Sequence, residues 1–186
     1  MTCIAAIKTE DGVWMAGDSA GIGGLSIVTR SDKKVFIKKD IVGNEFGFGF
    51  TSSFRMGQLL QYNLTIPPLS EMVDAHEYMV TTFVPALRAC LKEGGYTTIE
   101  NAAEKGGTFL VALKSRLFYI DEDFQVGENL PPYSACGCGD DLALGALFAT
   151  EGLGLSAEKR LNIALAAAQE FSAGVRAPFN IIHVKR

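Results

Sequence analysis

Long apolar runs, paired cysteines, an excess of positive charge and a basic leader are all missing from this 186-residue sequence. Every apolar stretch is broken by glycine or charge well short of the ~18 residues a membrane span needs, so no membrane association is expected. The four cysteines, at 3, 90, 136 and 138, lack the spacing of a disulfide framework, which argues against a stapled secreted domain and for a reducing cytoplasm. The first dozen residues carry Lys8, Glu10 and Asp11 where a secretory signal has a basic start and an apolar run. Lysine and arginine total 17 against 21 acids, interspersed along the chain, so no positive stripe is offered to nucleic acid. Cys136-Gly137-Cys138 has no second ligand pair at zinc spacing, and His76 and His183 fall in a helix pattern and a terminal strand, so no metal is expected. The glycine-rich run from Gly43 to Gly49 lacks the Lys-Ser/Thr of a phosphate loop, and no cofactor is expected.

What is present is enough apolar side chain, 48% of residues, for one domain over 1–186 with a core that folds without staples. Thr2 to Lys8 and Val13 to Gly17 read as a hairpin across Glu10-Asp11-Gly12. Lys34 to Lys39 and Phe46 to Thr51 alternate with period two and give a second strand pair. Apolar residues at three-to-four spacing predict helices over Ser53 to Asn63 and Ser70 to Glu93, with Pro85 marking a kink or break and Gly94-Gly95 the end. Thr108 to Leu113, Arg116 to Asp121 and Tyr133 to Gly137 read as strands, Asp140 to Thr150 and Ser156 to Gly174 as helices, and Pro178 to Val184 as a closing strand. This order fits an α+β fold of two stacked, mainly antiparallel sheets with helices outside each, a four-layer αββα sandwich, and does not fit alternating βαβ units.

A threonine at position 2 is common enough that alone it reads as an ordinary start residue. Its neighbours change that reading. In TCIAAIKTEDGVWMAGDS, then DKKV, then CGCG, the sequence resembles the proteasome β-subunits and HslV-type peptidases, N-terminal nucleophile hydrolases. The family's strand-initial Thr, Gly-Asp turn and third-strand Lys fall without gaps on Thr2, Gly17-Asp18 and Lys34. The family's Gly-Ser-Gly turn aligns with Gly137-Cys138-Gly139, and its Asp-x-x-Ser-Gly helix end with Glu170-Phe171-Ser172-Ala173-Gly174. The resemblance spans most of the chain.

The resemblance implies the Ntn-hydrolase fold and a threonine endopeptidase acting on unfolded polypeptides, with catalytic Thr2, Asp18, Lys34, Cys138 and Glu170. It also implies a backbone N–H of Ser52 as oxyanion donor, stacked homo-oligomeric rings and an ATP-dependent unfoldase as partner. The residue types suit the chemistry. Threonine is small enough for Met1 to be removed, and the freed α-amine, with a pKa of roughly 7.7–8, can take the proton of the hydroxyl on the same residue. An ammonium on Lys34 would disfavour protonation of that amine, and Asp18 would hold the ammonium. Lys33 is the competitor, but period-two geometry points the two side chains to opposite faces. Cys138, Glu170 and Ala173 depart from the family's Ser, Asp and Ser, which motivates the alternative of a catalytically silent ring subunit or scaffold. A small-molecule amidase of the same superfamily is a third reading; it would use an amino-terminal Cys or Ser, and Cys3 stands one position late.

Overall fold

The computed structural model describes residues 1–100 and 102–186. β1 (Cys3–Thr9) and β2 (Gly12–Gly17) form the expected hairpin, with Lys8 opposite Val13. A second hairpin, β3 (Ala20–Gly23) and β4 (Ser26–Thr29), is absent from the strand pattern read above, because Gly21, Gly23 and Gly24 mute the alternation of apolar side chains. β5 (Val35–Lys39) and β6 (Glu45–Phe50) follow as anticipated. Ser53 caps α1 (Phe54–Gln58) by accepting the N–H of Arg55, and the helix continues through a π-type turn, Leu59–Asn63.

The long helix begins later than Ser70. Asp74 is its cap, accepting from His76 and Glu77 at 2.8 and 3.2 Å, and α2 (Ala75–Tyr78) leads through a second π-type turn, Met79–Phe83, into α3 (Val84–Glu93). At Pro85 the chain stays helical, but the regular α-helix is interrupted just before it by the π-type turn. Pro85 stands in the first turn of α3, and the wider turn before it accommodates the missing N–H. Gly94 and Gly95 close the helix as expected, with Tyr96 N–H donating to the Leu91 carbonyl and Gly95 N–H to that of Lys92.

Two three-residue strands, β7 (Thr98–Glu100) and β8 (Ala103–Lys105), precede β9 (Phe109–Leu113), β10 (Arg116–Ile120), β11 (Val126–Glu128) and β12 (Tyr133–Gly137). α4 (Asp140–Ala149), α5 (Ala157–Phe171) and β13 (Asn180–Lys185) complete the chain. The fold is mixed α and β with antiparallel sheets, the two larger ones ordered β12-β1-β2-β13 and β11-β10-β9-β6-β5.

Period-two alternation sends successive side chains of each strand into different cores. From β1, Ile4 and Ala6 join Met15, Leu110, Ala112 and Val184 in one cluster, while Cys3, Ala5 and Ile7 join Leu147, Leu161 and Leu165 in another. From β6, Phe46, Phe48 and Phe50 pack with Met56, Leu59, Phe83 and Leu87. Helices thus cover one face of each large sheet, and the first cluster lies where residues of both sheets meet. The amino ends of β1 and β5 and the carboxyl end of β6 come together at one edge, where Phe50 N–H donates to the Lys34 carbonyl at 3.0 Å. Among the described residues no helix is long and apolar enough to cross a membrane.

Candidate active site

Asp18 follows the last residue of β2 and is fully buried. A buried carboxylate needs partners, and this one has several. Its Oδ1 accepts from the Cys3 N–H at 3.0 Å and from the Lys34 ammonium at 2.8 Å; its Oδ2 accepts from the N–H groups of Ala20 at 2.8 Å and Arg176 at 3.2 Å. Lys34 immediately precedes β5 and is 1% exposed, whereas Lys33 faces solvent. Desolvation by burial lowers the Lys34 pKa from its ordinary value, with the Asp18 carboxylate opposing that effect.

Thr2 enters β1 beside this pair and is 5% exposed. Its hydroxyl donates to the Met1 carbonyl at 2.5 Å, and the Lys34 ammonium lies 3.5 Å from the same oxygen. The ion pair and the hydroxyl therefore surround the Met1–Thr2 peptide bond. Cys138 closes the other side: the Thr2 N–H donates to Sγ at 3.3 Å, and the thiol reaches the Thr2 carbonyl at 3.5 Å. This approach depends on Gly137, whose φ of +105° favours glycine and where a Cβ would run into the Thr2 carbonyl oxygen.

Glu170 is not brought into this assembly. It projects from the last turn of α5 into solvent and makes no side-chain hydrogen bond among the described residues. Ser172, which sequence reasoning passed over, is the residue of that segment that reaches the site: its hydroxyl donates to the Cys138 carbonyl at 3.4 Å and lies 3.5 Å from Sγ. The signal was present one position before Ala173, where the family pattern asks for a hydroxyl. The helix ends at Phe171 and Ser172 is already extended, which turns its side chain toward Cys138. Glu170→Ala is expected to change turnover less than about twofold and stability by under about 0.5 kcal/mol, checked by steady-state kinetics and thermal melting.

Ser52 lines the same cleft and adopts a φ of +61°, the left-handed region a glycine would use. Its N–H is held by the Thr51 hydroxyl, so it serves an oxyanion only when that hydroxyl yields. The cleft, about 300 Å³, is walled by Thr2, by Ile22 and Val28 of the unanticipated β3–β4 hairpin, and by Phe50 and Phe54. Arg30 also reaches it, but its guanidinium is paired to Asp32 by two 2.7 Å bonds and sits 4.0 Å over the Phe54 ring. The lining thus presents apolar surface, the hydroxyl residues Ser26, Thr51, Ser52 and Ser53, and a neutralised cation. Cys3 is no rival nucleophile, since it is fully buried and desolvation pushes its thiol pKa far up, with the Asp18 charge adding to the effect. Among the described residues there is no cluster of three or more His, Cys, Asp or Glu side chains able to hold a metal ion.

The fold is that of proteasome-like subunits. The chain superposes on BPH from Thiobacillus denitrificans with a TM-score of 0.77 at 19% identity over 98% of both chains, and that protein has also been solved in complex with epoxomicin. It superposes on HslV from Trypanosoma brucei with a TM-score of 0.66 at 18% identity over 99% of both. For the Anbu complex from Pseudomonas aeruginosa, solved as a helical assembly, the TM-score is 0.68 at 16% identity over 100% of this chain and 82% of that one. No family model matches the sequence, and neither does any curated protein. At these identities the likeness is one of fold.

Proposed function

We propose that the chain is a threonine-type endopeptidase that cleaves unfolded polypeptides in a proteasome-like, self-compartmentalising assembly of αββα subunits. The observation that carries this reading is the buried Lys34–Asp18 pair at 2.8 Å, whose ammonium lies 3.5 Å from the Met1 carbonyl oxygen that the Thr2 hydroxyl also reaches. Once Met1 is removed, the freed Thr2 amine lies beside Cys138, the Thr2 hydroxyl attacks the scissile carbonyl, and the amine takes the hydroxyl proton and returns it to the leaving amine. Lys34 keeps the amine in its neutral, proton-accepting form and favours negative charge at the hydroxyl oxygen. Water then releases the acyl group.

The experiment is an intact mass of the purified protein, before and after incubation with epoxomicin, alongside turnover of fluorogenic peptides. Loss of Met1, an epoxomicin adduct and turnover are expected together. Retained Met1 with no adduct and no turnover defeats the peptidase and supports the second reading, a silent ring subunit. The detached position of Glu170 favours that second reading, because it leaves Cys138 and Ser172 without an acid.

The cleft also bears on substrate. Its apolar walls and neutralised Arg30 favour a medium-sized apolar side chain next to the scissile bond, at roughly 1–3 kcal/mol over an acidic one, or about 10–100-fold in kcat/KM. Matched peptides ending in Leu and Glu before the fluorophore check this, and equal rates would contradict it. Homo-oligomeric assembly is supported by the aromatic surface left on the α4–α5 layer, where Phe148 is 72% and Phe171 76% exposed. An ATP-dependent unfoldase is the partner such an assembly would use to admit folded substrates.

A further inference from the structure

Charges that alternate along the sequence do not stay mixed in space. Five of the chain's 17 lysines and arginines, Lys39, Lys114, Arg116, Lys185 and Arg186, line one cleft of about 670 Å³ in which Glu45 is the single acidic side chain. The cleft lies at the edge of the sheets opposite to Thr2. β5 runs from Val35, next to Lys34, to Lys39, and β6 returns from Glu45 to Phe50, so the two ends are separated by a strand of roughly 17 Å.

Two of the cations are already engaged. Arg116 is clamped by Glu128 at 2.6 Å and Asp74 at 2.8 Å, and Lys39 meets Glu45 at 3.2 Å. Lys114, Lys185 and Arg186 have no acidic partner within 4 Å among the described residues. Lys114 occupies the two-residue turn between β9 and β10 with a φ of +56°, a place where Gly or Asn is the ordinary choice. Beside it, the Ser115 hydroxyl is shielded from solvent and has no hydrogen-bond partner among the described residues. A rotation about χ1 turns that donor toward a ligand, which relieves an unmade hydrogen bond.

We propose that this cleft binds a multiply charged phosphate chain, such as a short polyphosphate or the triphosphate of a nucleotide. Three unneutralised cations ask for a ligand of several negative charges. The Arg116 guanidinium is already filled by Glu128 and Asp74, and what remains, two lysine ammoniums, the Arg186 guanidinium and a hydroxyl, offers donors spread over several directions, which suits a chain of tetrahedral phosphates better than one planar carboxylate. A bounded cleft, not an extended stripe, fits a short ligand. The site is independent of the Thr2 chemistry.

Calorimetric titration of the full chain with tripolyphosphate, with ATP without metal, and with citrate at 50 mM salt tests this. Tripolyphosphate is expected to bind and to raise Tm, with affinity falling as salt rises. Lys114→Gly/Lys185→Gln should weaken it roughly tenfold while leaving the unliganded melt intact, because glycine suits the backbone at position 114 and Lys185 is exposed. ATP binding as tightly as tripolyphosphate, or more tightly, supports a nucleotide as the source of the chain, and ATP binding more weakly supports free polyphosphate. No binding at 50 mM salt, equal binding by the double variant, or equal affinity for citrate would each overturn the proposal.

Discussion

Thr2→Ala abolishes peptide turnover, by at least about three orders of magnitude, while leaving the fold in place. The second half of that expectation makes the first informative. Among the described residues the Thr2 hydroxyl has one hydrogen-bond partner, the Met1 carbonyl, so its removal costs about 1 kcal/mol of stability. A variant that melts like the wild type and does not turn over places the chemistry at this hydroxyl. The epoxomicin adduct should vanish with it. A variant that retains turnover would move the nucleophile elsewhere, and the proposed mechanism would be lost.

Lys34→Met is the more damaging substitution, because it strikes stability and activity together. Removing one partner of a fully buried ion pair leaves the Asp18 charge uncompensated and costs about 3–5 kcal/mol. For a chain of this length that lowers Tm by roughly 6–20 °C, which thermal unfolding will read. Lys34 also sets a pH dependence with two opposite signs. Burial holds its pKa below the ordinary 10.5, so the ammonium is lost from the folded protein before it is lost from the unfolded chain. Between those two values the unfolded state carries the extra proton, so the Lys34 contribution to stability rises with pH. Turnover, which needs the ammonium, falls over the same window. Asp18→Asn removes the main group that raises the Lys34 pKa and should shift the alkaline limb of the pH–rate profile to lower pH. An unmoved limb would mean that another group titrates there.

The parts of the site legible in the sequence are those tied to strand register. Thr2, Asp18 and Lys34 sit at strand ends, where period-two geometry and short turns fix direction; Lys34 and Asp18 pair directly, and the Lys34 ammonium and the Thr2 hydroxyl both reach the Met1 carbonyl oxygen. Side chains at a helix end escape such reasoning. Glu170 and Ser172 are two residues apart, yet the first continues the helix into solvent while the second has left it and turns inward. The β3–β4 hairpin was hidden for a different reason: its glycines carry no pattern, and Ile22 and Val28 earn their place only by walling a cleft formed with Phe50 and Phe54. The basic cleft is illegible in principle from charge order, since its members come from two separated turns and the end of β13.

The partners of the Asp18 carboxylate have a consequence for the order in which this region is completed during synthesis. Its donors come from Cys3, Ala20, Lys34 and Arg176, the last 158 residues away in sequence. A chain not yet synthesised as far as Arg176 can form the amino-terminal hairpin but cannot complete this set, and such long-range closure is slow. Thr2 and its hairpin can therefore form early, whereas the charged pair beside them is fully hydrogen-bonded only once residues as distant as Arg176 have packed.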